Sequence, residues 1–253
     1  LQNHLSFEYL APKTKDLLQA HQLASFQQLW DYKGDWFETP NRKIDGWSGV
    51  SYLALRDGNG QEHGFYLKRQ KNFMRKTWRH PLKGEPTFKR EFKIIQYLSS
   101  RLVLTPTISY FAYHDQQCIV MTEALQGFIS VDDWFRKYGA TQGNHKSNMI
   151  EGLAKAVKAL HGAGVQHRSL YLKHLFVRVE PDAKVEVAII DFESSRITKL
   201  IGFYQYIDLI KLMKRAKTMV LADKRQFLDH YFSGHAKQGW RKYLKHYIYN
   251  AAK

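Results

Sequence analysis

Apolar and polar positions alternate along the first half of the chain, and the alternation is punctuated by turn residues. "VSYLAL" (50–55) and "GFYLKR" (64–69) flank "RDGNGQEH", where the Asp57-Gly58 pair signals a tight turn, so residues 50–69 predict a β-hairpin. "TPTISYFAYHDQQCIVMTEAL" predicts a second hairpin, Ile108 to Tyr113 and Cys118 to Glu123, turning at "HDQQ". Between the two, Phe88, Phe92, Ile95 and Leu98 share one face of a helix over 87–98. Ahead of them, Leu17, Leu18, Leu23, Phe26, Leu29 and Trp30 give a modest helical pattern over 16–30 that "TPNR" breaks, which reads as a lead-in to the strands.

Near residue 125 the period changes. Ile150, Leu153, Ala154, Val157 and Leu160 mark an amphipathic helix from Met149 to His161, ended by the glycines of "HGAG". Short strands follow at Leu175–Val177 and Val185–Ile190 around a turn at "EPDAK", and residues 203–249 are helical and basic. The expected organisation is a helical extension (1–34), a strand-rich lobe with one helix (35–124) and a mostly helical lobe (125–253), an α+β arrangement.

Composition narrows the function classes. A hydrophobic content of 44% over 253 residues fills a real core and excludes a disordered or fibrous chain. Thirty-nine Lys and Arg against twenty-three Asp and Glu leave a net charge of +16, so the surface attracts anions: phosphorylated sugars, nucleic acid or acidic lipid headgroups. The single Cys118 rules out an internal disulfide and fits a reducing cytosol, and no Cys/His spacing suggests a zinc site. No run approaches the roughly 18 apolar residues of a membrane span. No nucleic-acid motif accompanies the charge.

Several residues carry candidate chemistry. Lys68 lies inside a predicted strand, where a charge is costly unless it faces a cleft or has a partner; an edge-strand lysine is the plain alternative. Glu91, on the helix that follows, can reach back to pair with it or can simply be solvated. Asp191 ends the buried strand "VAII", a position that suits a metal ligand or a turn cap. Gly46 and Gly49 let backbone N–H groups approach phosphate, or serve a turn. In "HRSLYLKHLF" (167–176), Ser169 and His174 stand five residues apart behind His167-Arg168. A glycine turn, a strand lysine, a helix glutamate, a His-Arg loop and a strand-end aspartate, in that order, are the parts that position a nucleoside triphosphate.

"TPNRKIDGWSGV" (39–50), "YLKRQKNF" (66–73), "RHPLKGEPTFKREF" (79–92), "HRSLYLKHLFVR" (167–178) and "IIDFESSR" (189–196) together resemble the bacterial lipopolysaccharide core kinases of the WaaP/InaA type, with the InaA side the closer. The resemblance implies a two-lobed protein-kinase-like fold and an ATP-dependent sugar kinase. It implies that Lys68 holds the ATP phosphates, Glu91 orients Lys68, Asp191 binds Mg²⁺ or Mn²⁺ with His174, and Asp208 braces the catalytic loop beside His167. Met121 to Leu125, Glu123 included, would form the adenine-binding connector. Phe192-Glu193 replaces the usual Phe-Gly.

Ser169 occupies the place of the catalytic aspartate and is too weak a base at neutral pH. Phosphoryl transfer rests mainly on positioning and charge neutralisation, so this loss costs roughly 10² to 10⁴-fold rather than all activity. Imidazole at His174 favours Mn²⁺ over Mg²⁺; a loop hydrogen bond is its alternative use. The implied acceptor is a lipopolysaccharide core sugar or phosphosugar, and the implied location is the cytoplasm, peripheral at the anionic inner face of the inner membrane, as a monomer. The rival reading is a pseudokinase, a nucleotide-binding scaffold that assists a partner kinase.

Two basic stretches bear on the acceptor. Arg69, Lys71, Arg75, Lys76, Arg79, Lys83, Lys89, Arg90 and Lys93, with Phe73 and Trp78 among them, suggest a sugar-phosphate or lipid-headgroup site, against a default of solvated charge. The stretch 211–253, with Tyr206 before it and Trp240, Tyr243 and Tyr247 within it, suits an anionic membrane face.

Overall fold

The computed structural model describes residues 7–77, 80–101, 103–140, 143–179, 184–233 and, further on, 246, 248 and 250. The chain divides into two units, Leu1–Ile95 with Pro106–Gln126 and Gln96–Thr105 with Gly127–Lys253.

The first unit is built on an antiparallel sheet. In chain order its elements are β1 (Phe7–Leu10), α1 (Pro12–Ala20), α2 (Phe26–Trp30), β2 (Asn41–Lys43), β3 (Gly46–Arg56), β4 (Glu62–Lys71), β5 (Met74–Thr77), β6 (His80–Pro86), α3 (Thr87–Ser99, here to Ile95), β7 (Ile108–His114) and β8 (Gln117–Glu123). Six strands pair in the order β1-β7-β8-β4-β3-β2, and β5 with β6 form a separate ribbon. Alternation along the strands sorts side chains between two faces. Leu53, Phe65, Leu67, Tyr110, Ala112, Ile119 and Met121 join Leu18 and Leu29 of α1 and α2 in one core. Phe111, between Tyr110 and Ala112, turns the other way and stacks on Phe92 of α3 at 4.1 Å.

Residues 7–34, expected as part of an extension, belong to this unit. β1 pairs with β7 from Phe7 to Leu10, and the two short helices supply a wall of the core. The single helical pattern over 16–30 is two helices because Ser25 stops it: its hydroxyl accepts the Gln28 N–H, and Gln28 Oε1 takes the Ala24 N–H in return, a reciprocal cap. The 50–69 hairpin is present, but its turn is wider than the Asp57-Gly58 signal predicts. Asp57 Oδ1 accepts from Asn59 N and Gln61 N, and Gly60 takes the positive φ (79°).

The second unit holds β9 (Ile129–Ser130), α4 (Val131–Tyr138), α5 (Asn144–Gly162), β10 (Val165–Gln166), β11 (Leu175–Val179), β12 (Val185–Ile189), β13 (Arg196–Ile197), α6 (Ile201–Arg215) and α7 (Leu221–Phe232). Strands pair as β12-β11-β9 and β10-β13. Residues 96–105 belong here: Leu104 forms a parallel bridge with Ala188, and the Tyr97 hydroxyl donates to Ala163 O. The lobe boundary expected between 124 and 125 falls at 126–127, with this extra segment crossing over. α5 starts at Asn144, one turn before the expected Met149, and buries Met149, Ile150, Leu153, Val157 and Leu160. Glu180 to Ala183 of the expected turn, and Trp240, Tyr243 and Tyr247 of the C-terminal basic stretch, lie outside the described residues.

Candidate functional site

Each unit carries one constellation of polar groups. In the first, Lys68 sits on β4 between Val50 of β3 and Val120 of β8. Its ammonium is 2.7 Å from Glu91 Oε1 on α3, with side-chain exposures of 17% and 3%. Phe88, Phe92 and Ile95 fix the helix against the sheet, and that packing aims Glu91 at the strand. A carboxylate this buried holds the lysine in one place by a short ion pair.

The face of β4 that carries Lys68 also carries Tyr66, two residues earlier and directly opposite Tyr52. The Tyr66 ring meets Tyr52 at 5.3 Å and Phe37 at 5.2 Å, both edge-on, and Phe37 and Tyr52 are exposed. Burial pushes the Tyr66 phenol above its usual pKa, so it stays neutral. This aromatic row beside a phosphate-competent lysine is a feature that sequence reasoning missed. The signal was present in "YLK", since the two-residue strand period puts Tyr66 on the face of Lys68.

The other residues expected to bind nucleotide fall differently. Met121 pairs with Leu67, not Lys68, and is fully buried in the core with α1 and α2, so its side chain points to the opposite face; Val120 and Thr122 take the face expected for it. Glu123 ends β8 with Oε2 3.6 Å from Lys13 Nζ, and its N–H donates to Thr107 O. Leu125 is half-buried, just after the bond from Ala124 N to Gly64 O. Gly46 opens β3 after the β2–β3 turn and Gly49 lies inside β3 opposite Arg69, and each has a packing reason of its own. A Cβ on Gly46 would lie 2.6 Å from Lys71 O, and one on Gly49 would lie 2.6 Å from the Trp36 ring.

Three residues of the basic stretch 69–93 have local partners. Arg69 is buried, donating to Trp30 O, Tyr32 O and Ser51 Oγ, and so fastens the 30–36 segment to the sheet. Lys89 and Lys93 approach Glu85, and Lys89 also lies over the Tyr113 ring. Trp78 and Arg79 lie outside the described residues.

In the second unit the loop after β10 is strained and held from α6. Arg168 and Asp191 both have positive φ, 69° and 66°, a conformation that costs a non-glycine residue about 1–3 kcal/mol. Asp208, wholly buried, accepts from His167 N at 2.6 Å and Arg168 N at 2.8 Å. One and two turns further on α6, Lys211 Nζ donates to Arg168 O and the Arg215 guanidinium lies 4.7 Å over the Tyr171 ring. Only Asp208 of these three is singled out by sequence; Lys211 and Arg215 are legible as i+3 and i+7 from it once the loop is known to lie there.

His167 is buried and donates from Nε2 to Ile190 O, the residue before Asp191. Burial pushes its pKa below the ordinary value, so the ring is neutral. His174 Nδ1 is 2.8 Å from Ser169 O; a carbonyl only accepts, so Nδ1 carries the proton. Nε2 then presents a lone pair 3.3 Å from Asp191 Oδ2. Two acceptors at that distance need a positive charge, either a proton on Nε2 or a cation beside both. A divalent ion held by His174 and Asp191 would take its remaining ligands from phosphate and water. Among the described residues no group of three or more His, Cys, Asp or Glu forms a self-sufficient metal cage.

A strand-rich unit with a buried lysine–glutamate pair, and a helical unit with a braced His-Arg loop and a strand-end aspartate, define a protein-kinase-like fold. The solved structure of WaaP in complex with acyl carrier protein superposes on it with a TM-score of 0.69, covering 98% of this chain and 100% of that one at 18% identity. The Lipopolysaccharide kinase (Kdo/WaaP) family model matches residues 27–231, and the chain belongs to this family. Protein InaA of Escherichia coli (strain K12) is 30% identical over 177 residues, 68% of this chain and 78% of its own length. Family membership carries a phosphotransferase activity that depends on a nucleotide and a metal.

Proposed function

We propose that the protein is an ATP-dependent kinase for a sugar of the lipopolysaccharide core, working with Mg²⁺ or Mn²⁺ in the cytoplasm at the inner membrane face. The observation that carries this reading is the buried 2.7 Å pair of Lys68 and Glu91 in a member of this family. Lys68, positioned by Glu91, would neutralise nucleotide phosphates. Asp191 with His174 would hold the ion, and the Tyr66–Tyr52–Phe37 row would stack the base. A bound metal–nucleotide supplies the phosphoryl group and much of the charge neutralisation. Ser169 can hydrogen-bond an acceptor hydroxyl but cannot remove its proton, so slow turnover is expected.

The test is single-turnover transfer of label from ATP to dephosphorylated core oligosaccharide with each ion. Label in the sugar, lost in Asp191→Ala, supports the kinase. The serine at 169 also favours a second reading, a pseudokinase, which predicts a thermal shift with ATP and the ion but no transfer. No shift with either ion would sink both.

A further inference from the structure

The second unit carries an apolar prominence that the phosphotransfer reading leaves unused. Ile197, Leu200 and Phe203 are 50%, 66% and 67% exposed and lie within seven consecutive residues, shortly after Asp191. Leu200 O accepts from Phe203 N, so those two side chains stand on the same first turn of α6. Gly202 beside them has open space where a side chain would go. Lys199, also exposed, sits among them.

The segment is held rigidly. β13 pairs with β10, Thr198 N donates to Gly164 O, and Leu200 N donates to Thr198 Oγ1. Arg196 is clamped by Gln166 Oε1 at 2.8 Å and lies over the Tyr204 ring at 3.8 Å. Such anchoring lowers the ordering cost of binding, because the apolar groups are already presented.

The surrounding charge has one sign. From Arg196 to Lys217 the basic residues are Arg196, Lys199, Lys211, Lys214, Arg215 and Lys217; the one acid, Asp208, is buried and turned to the 167–168 loop. Protruding apolar side chains with the exposed Lys199 among them, in a chain of net charge +16, match the boundary between headgroups and acyl chains of an anionic bilayer.

We propose that Ile197, Leu200 and Phe203, with Lys199, form the membrane-docking surface of this protein. The site inserts shallowly, and no helix among the described residues is long and apolar enough to cross a membrane. Docking is independent of nucleotide and of turnover, so its failure and that of the kinase reading are separable.

The test is sedimentation of the full chain with vesicles of phosphatidylglycerol and phosphatidylcholine, without ATP. Wild type should bind, and more weakly at high salt. Leu200→Ser with Phe203→Ser should weaken partitioning about tenfold or more, with an unchanged melting temperature because both side chains are exposed. Lys199→Glu should weaken it by about fivefold or more on anionic vesicles and leave binding to pure phosphatidylcholine unaltered. No binding by wild type, or equal binding by the double serine variant, overturns the proposal. So does a wild type that self-associates in solution while the double variant is monomeric, or one that retains an acidic protein through this patch while ignoring vesicles.

Discussion

Replacing Asp208 by alanine tests whether the 167–168 loop is held in its strained form from α6. The carboxylate accepts two main-chain N–H groups, from His167 at 2.6 Å and Arg168 at 2.8 Å, and its Oδ2 lies 3.4 Å from His161 Nε2. Removing it strands two main-chain donors, each costing about 1–3 kcal/mol, and leaves only the Lys211 bond to Arg168 O against the positive φ of Arg168. The total is about 3–5 kcal/mol, which for a chain of this size lowers the melting temperature by about 6–20 °C. Asp208→Asn keeps one acceptor oxygen but turns an amide N–H₂ toward a donor, so it should lose about half as much. Circular dichroism melts of the three proteins are the assay. An Asp208→Ala variant that melts within about 2 °C of wild type would refute the reasoning, because those N–H groups would have to be satisfied elsewhere.

Lys68→Met should abolish the thermal shift with ATP–Mn²⁺ and, by leaving Glu91 buried without its ammonium, destabilise the first unit by about 3 kcal/mol; a full ATP shift would count against the phosphate role. Burial lowers the pKa of His167 below the ordinary histidine range, so the unfolded chain takes up its proton first as the pH falls. That contribution to stability is complete above about pH 6.5 and is lost below it, by at most about 1.4 kcal/mol per pH unit. Urea midpoints between about pH 7.5 and 5.5 should therefore fall in wild type and flatten in His167→Gln, and parallel curves would disprove the link. Ser169→Asp should raise the single-turnover rate about tenfold; a slower variant would mean that the missing base does not limit the step.

Lys68 and Glu91 are legible in the sequence through their order among the other parts and through the family resemblance, since a strand lysine can lie at an edge and a helix glutamate can be solvated. Asp208 is legible only through family resemblance, since an aspartate in a helix carries no local mark of the distant His167 and Arg168 N–H groups it will accept. Tyr66 escapes a sequence reading and Met121 falls on the wrong face for one reason: both depend on strand register, and moving one residue along a strand reverses the face. Arg69 looks like part of a basic surface and is buried, because the carbonyls of Trp30 and Tyr32 that receive it come from a segment whose docking is invisible in the local pattern.

By itself the sequence determined the two hairpins, the α3 and α5 helices and the α+β order, which follow from side-chain period and short-range turn chemistry, while the list of parts a kinase needs rests on their order along the chain and on the family resemblance. Tertiary structure decided which side of the sheet each residue serves and that Leu18, Leu23, Phe26 and Leu29 are core. It also decided that His174 Nδ1 donates to Ser169 O and that Nε2 lies beside Asp191. These are settled by pairings between residues distant in sequence, whose free energy appears only when burial removes water from both partners.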